Sequence, residues 1–302
     1  VSTSSATGLM EAGVRNLSKR KVANFVCGAF SKKQAAITKA CGLNQNVFEV
    51  EWGQAITADF VDGVLARGNY DLVTVVFNET STGVMNPLEE IGAVVKKYPD
   101  VLLMVDAVSG MMGAPIKVDE WGVDMALASV QKAWALPPGF AVTSLSDRAL
   151  ERSRSIPDSQ KGFYFDFVRM HKAGEKSETP VTPSIPHLYG LSKQLDRIKA
   201  EGLENRFARH KEMANRVREW GKDRFGLFAQ SGYESDTLTC FGNKAGIDLI
   251  ALASEMKSKN YLISGGYGDL KGKTFRLAHM GDLQMEDIND VLAVLDEVIE
   301  SL

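Results

Sequence analysis

A lysine and an aspartate stand at corresponding points of two apolar runs. Lys132 follows Val123 to Ala128 (VDMALA) through Ser129-Val130-Gln131, and Asp106 closes the run Val101 to Val105. Read as buried strands of a parallel α/β sheet, both runs place their polar group at a carboxyl end, where ligand sites of such sheets gather. An amine and an acid on one rim suit pyridoxal phosphate, whose aldehyde condenses with an amine and whose ring nitrogen takes an acidic partner. A desolvated lysine serves as nucleophile and base, which makes Lys132 the candidate Schiff-base former. A unit-charge pair at about 4 Å contributes roughly 4 kcal/mol at an effective dielectric of about 20. At about 1.4 kcal/mol per pKa unit, Asp106 would hold the ring nitrogen protonated at neutral pH. The plainer readings are a surface lysine that follows a strand and an aspartate that closes a turn.

Other residues fall on the same presumed rim. Ser4-Ser5-Ala6-Thr7-Gly8 opens a helical pattern with small and hydroxylated residues, as a phosphate cradle or a simple N-cap would. Asn78-Glu79-Thr80-Ser81-Thr82-Gly83 ends another apolar run, and its hydroxyls are candidates for the cofactor's phenolic oxygen or the substrate. Phe30, after the turn Gly28-Ala29, is either a ring stacked on the cofactor or a core residue. Arg276, in TFRLAHMGD, is either a bidentate clamp for a substrate carboxylate or half of a surface ion pair. His171, His187, His210 and His279 show no metal-ligand spacing, and no metal site is expected.

The elements that must position these groups can be read from the hydrophobic pattern. Six short apolar runs, 22–27, 47–52, 71–77, 101–106, 123–128 and 140–145, alternate with helical patterns over 7–17, 31–43, 57–68 and 87–98. Such alternation predicts a mostly parallel sheet sandwiched by helices. The proline-rich stretch 155–187 reads as an irregular joint, followed by one long amphipathic pattern from Leu188 to Arg218. Strand-like TLTCFG and TFRLAHM and two further helices complete a smaller α+β domain. The predicted division is a large domain over 1–185 and a small C-terminal domain over 186–302.

Composition narrows the class. With 35 Lys and Arg against 38 Asp and Glu, the formal charge of −3 argues against nucleic acid as a partner. Three cysteines, Cys27, Cys41 and Cys240, are too few and too scattered for a disulfide framework or a zinc site. Reduced thiols and a cytoplasmic location are expected. No apolar run approaches the roughly 20 residues that span a bilayer, so no membrane partner is expected.

Taken together, STSSATGLMEA, CGAFSKK, NETSTGV, VDAVSG, SVQKAWALPPG, ETPVTPS and FRLAHMGD, in that order, resemble the class V aminotransferases of fold type I. The likeness runs nearly end to end and places Lys132 and Asp106 at the family's cofactor lysine and pyridine-nitrogen aspartate. It implies that Ser5, Ala6, Thr7 and Gln131 bind the cofactor phosphate, that Phe30 and Val108 pack on the two ring faces, and that Ser81 and Thr82 lie near the phenolic oxygen. It further implies that Thr179 and Thr182 reach the phosphate bound by a neighbouring subunit, hence a homodimer, and that Arg276 holds the substrate carboxylate. Relatives carry an additional segment ahead of the phosphate loop that helps wall the pocket. The resemblance implies ping-pong transamination between a small L-amino acid (alanine, serine or phosphoserine) and glyoxylate, pyruvate or 2-oxoglutarate. KGFYFDF and the SVQK form of the lysine motif lean toward the phosphoserine branch. Gln131 before the lysine, where cysteine desulfurases carry histidine, favours transamination over desulfuration; a catalytically silent cofactor-binding relative is the other alternative.

Overall fold

The computed structural model describes residues 5–302, so Ser4 of the expected phosphate loop lies outside the described residues. The six apolar runs become one six-stranded sheet: β1 (Val22–Val26), β2 (Gln45–Glu49), β3 (Leu72–Val76), β4 (Leu102–Asp106), β5 (Met125–Ser129) and β6 (Ala141–Leu145). Its spatial order is β2-β1-β3-β4-β5-β6. Every pairing is parallel except β5 with β6, where Met125 faces Leu145 and Ser129 faces Ala141. The short stretch Gln131 to Gly139 explains that exception, because a parallel return would need a crossover of a dozen or more residues.

All five residues of β1, β3, β4 and β5 are buried, whereas the edge strands β2 and β6 are partly exposed. Burial on both faces accounts for the continuous apolar runs, and the two-residue period divides them between two cores. Leu103 and Val105 pack with Phe25, Val61 and Ile91 on one face. Leu102 and Met104 pack with Leu9, Val14 and Leu17 of helix α1 (Ala6–Leu17) on the other. Helix α2 (Ala29–Ala40) connects β1 to β2.

Two expectations change. The stretch 155–187 is not uniformly irregular: it holds helices Asp158–Lys161 and Phe167–Gly174, the second capped by Asp166, whose carboxylate accepts from the Val168 N–H. The long amphipathic pattern is two helices, Ile185–Glu201 and Leu203–Phe225, broken at Gly202 with φ of 83°. The first of these begins within the proline-rich stretch because Pro186 occupies its first turn, where a missing N–H leaves nothing unpaired. Its Leu188, Leu191 and Leu195 pack against Val130, Trp134 and Phe140 beside the lysine segment. Beyond it, an antiparallel three-stranded sheet runs Ser264–Gly265, Phe275–Ala278, Leu238–Phe241, with a core of Val217, Phe241, Phe275 and Leu292. Among the described residues no helix is long and apolar enough to cross a membrane.

Candidate active site

The chain leaves β1 toward β2 on one side and returns to β3 on the other, so the strand order reverses beside β1. Such a reversal opens a crevice at the carboxyl ends of the strands. A cavity of about 250 Å³ lies there. Its walls come from the start of α1 (Ser5, Ala6, Thr7), from Phe30 of α2, from Asp106 and Val108 after β4, and from Gln131 and Lys132 after β5. Eight of the sequence-derived candidates, separated by up to 127 positions, therefore face one space.

The electrostatics of the two reactive groups follow from where the strands leave them. Asp106 is 4% exposed, and its carboxylate accepts the backbone N–H of Val108 at 2.9 Å. Burial pushes its pKa up to about 7, against the pull of that N–H, and buried Glu79 adds to the rise. A cation apposed to it would restore an ordinary acidity. Lys132 is half-buried, and burial, aided by the Arg276 guanidinium, holds its amine below the usual lysine range. This is the setting of an amine that can lose its proton and attack.

Two helix N-termini converge on the cavity, and that of α2 receives a protein carboxylate. Glu79, fully buried, accepts the N–H groups of Phe30 (3.1 Å) and Ser31 (2.9 Å) and the Ser31 hydroxyl (2.9 Å). Its other oxygen accepts the Ser81 hydroxyl at 2.7 Å, and the Ser81 oxygen in turn accepts the Ala29 N–H at 2.9 Å. The negative charge thus completes the end of α2, where the dipole favours it. Gly28 is required by this approach, since a Cβ there would lie 2.5 Å from the Glu79 and Ser81 side chains. At α1 the first turn carries no acidic residue, and Lys33 reaches across so that its ammonium donates to the Thr7 hydroxyl at 3.0 Å. That end of the cavity suits a phosphate.

Ser81 and Thr82 therefore do not line the cavity as expected. Both are fully buried behind its wall, with Ser81 spent on capping α2. Thr80, one residue earlier, faces the cavity instead and shares a 2.6 Å hydrogen bond with Ser109. Asn78 lines the cavity as well; its amide nitrogen donates to Ser235 and Thr237 hydroxyls, and its buried oxygen has no partner. The sequence put Asn78 and Glu79 on the rim without a role and gave none to Lys33, because the partners of all three come from other segments.

Arg276 sits beside the cavity rather than in its lining. Its Nε and Nη2 donate to Gly265 O at 3.1 and 2.9 Å, and its Nη1 donates to Thr80 O at 3.1 Å, joining the C-terminal sheet to the cavity rim. No carboxylate pairs with it among the described residues. Tyr267 stacks on Phe30 with centroids 5.2 Å apart and forms a second contact across this boundary. Thr179 and Thr182 are exposed and lie outside this chain's own cavity. Cys240 is buried in its strand, with its thiol pushed up to about 12, so a reactive thiolate is disfavoured.

The residues present fit pyridoxal phosphate on the cavity's own terms. An acid wanting a cation, a depressed amine, an aromatic flank and a helix whose first turn carries no acidic residue match the ring nitrogen, aldehyde, ring face and phosphate respectively. A model of the family described as Aminotransferase class-V matches residues 18–224. An uncharacterized aminotransferase of Methanocaldococcus jannaschii is 37% identical over 309 residues, covering 99% of this chain and 79% of that protein. The serine–glyoxylate aminotransferase of Arabidopsis thaliana is 30% identical over 308 residues, covering 98% and 76%. Among solved structures, the alanine–glyoxylate aminotransferase of Nostoc sp. superimposes with a TM-score of 0.93 at 28% identity, covering 99% of this chain and 80% of its own.

Proposed function

Since this chain belongs to the class V aminotransferases, fold type I enzymes that depend on pyridoxal phosphate, we propose that it moves an amino group from a small L-amino acid to glyoxylate. The observation that carries the reading is the convergence of Lys132 and Asp106 on one cavity from the ends of adjacent strands. When bound, the cofactor supplies an aldehyde that takes up an amine and a ring that withdraws electrons from the carbon losing its proton.

The chain's residues would do the rest. Asp106 would hold a proton at the ring nitrogen, and Phe30 and Val108, which line the cavity, would flank the ring. Ser5, Ala6, Thr7 and Gln131 bind the phosphate, with Lys33 supplying a cation beside Thr7. Thr80, in place of Ser81 and Thr82, is the residue of its turn whose hydroxyl would serve the ligand from the cavity wall. Lys132 Nζ, its basicity reduced by burial, would serve as the base that holds and moves the substrate's α-proton. Arg276 offers its remaining N–H groups to the substrate carboxylate. Thr179 and Thr182 would complete the phosphate site of a second copy, so we propose a homodimer. Three free cysteines support a cytoplasmic setting.

Serine and alanine are the favoured donors, because the relatives at 28–30% identity are named for those amino acids and glyoxylate. This replaces the lean toward phosphoserine. Comparing kcat/KM for serine, alanine and phosphoserine with glyoxylate as acceptor tests the reading. A preference for phosphoserine, or release of sulfide from cysteine in place of amino transfer, would overturn it.

A further inference from the structure

Arg206 opens the helix Leu203–Phe225 and is 1% exposed, the largest fully buried side chain among the described residues. Its Nη2 donates to Ala133 O at 2.7 Å and its Nε to Met112 O at 3.1 Å. Its Nη1 donates to Glu201 Oε2 at 2.7 Å, and the guanidinium also reaches Asp282 Oδ1 at 3.3 Å. A buried guanidinium is tolerated only when its charge and donors are met, and here two carboxylates and two carbonyls meet them.

The two carbonyls belong to the loops that follow β5 and β4, which carry Lys132 and Asp106. Both loops contain a non-glycine residue in the left-handed region, Met112 at φ 71° and Ala135 at φ 56°. Such a conformation is unfavourable for a residue with a Cβ and persists where its surroundings over-determine it. Ala135 N–H donates to Lys132 O at 2.9 Å, so the strained turn closes directly on the lysine. Gly281 packs against that turn, with a Cβ there lying 3.3 Å from Ala135 Cβ. His210 accepts the Gly281 N–H at 3.0 Å, and Arg209 donates to Gly281 O at 3.2 Å. The start of one helix thus grips three backbone segments, two of them in the loops after β4 and β5, without lining the cavity itself.

We infer that Arg206 is a positioning residue for transamination, which fixes the spacing of Lys132 and Asp106 by clamping the loops behind them. This rests on the roles proposed for those two residues. A displacement of about 1 Å at a reacting group can cost on the order of 100-fold in rate.

The test compares the cofactor-loaded full chain with Arg206→Lys, which keeps the charge but not the planar fork, and with Glu201→Gln, which loosens the fork's partner. For Arg206→Lys we expect kcat to fall by about tenfold or more while KM changes within about twofold. The visible circular dichroism of bound pyridoxal phosphate weakens, and the acid limb of the kcat profile moves to higher pH as water reaches Lys132. Glu201→Gln shows the same changes to a smaller degree. Variants that melt at lower temperature yet keep wild-type kcat, pH limb and dichroism, beside an inactive Lys132→Ala, overturn the inference alone. Full turnover in Lys132→Ala overturns the role of the lysine and this inference with it.

Discussion

Asp106 is held where its charge is unwelcome until a cation arrives. Its folded pKa of about 7 stands above the ordinary 3.8, so the folded chain binds the extra proton between those values. The contribution of protonated Asp106 to stability without cofactor is therefore fully present below about pH 4 and is lost as pH rises through about 7. Asp106→Asn keeps an oxygen for the Val108 N–H and removes the buried charge. At pH 8 the cofactor-free variant should melt above wild type, by a margin on the order of a few kcal/mol, and the margin should shrink by pH 5. Turnover of the loaded variant should fall steeply. An equal margin at both pH values would contradict this account of Asp106. Lys132 and Asp106 were legible in the sequence because an ionisable group ending an apolar run has few structural uses. Ser81 and Thr82 fall outside the lining because neighbouring turn residues face different ways, and the Glu79 contact draws the Ser81 hydroxyl to the end of α2.

Helix α2 shows how an element is readied for a ligand by a residue outside it. Its first N–H groups are met by Ser81 and Glu79, which pins Phe30 at the cavity edge. Glu79→Gln places amide hydrogens against some of these donors. We expect a loss of about 2 kcal/mol or more in urea unfolding and weaker cofactor binding through Phe30. Unchanged stability, within about 0.5 kcal/mol, would show that the cap is dispensable. The strands themselves were readable, since burial on both faces leaves unbroken apolar runs. The antiparallel turn of β6, the helices inside 155–187 and the break at Gly202 were not, because loop length, a local cap and a single left-handed glycine outweigh periodicity there.

At the scale of the whole molecule, the C-terminal sheet reaches the cavity through Arg276 on Thr80 and Tyr267 on Phe30. Thr179 and Thr182 are exposed and lie outside the lining of this cavity, and light scattering should find a dimer; a monomer that turns over at full rate would remove their proposed role in trans. Contacts between segments more than 70 residues apart, such as these and the bonds of Arg206 to Ala133 and Met112, leave no local signature and emerge only with the fold. The central claim is that one amine, placed by the end of β5 opposite Asp106, engages the cofactor. Borohydride reduction of the loaded chain followed by peptide mass mapping tests it most directly. The account predicts the phosphopyridoxyl mass on Lys132 and its absence from Lys132→Ala; the mass on another lysine, or on none, would contradict it.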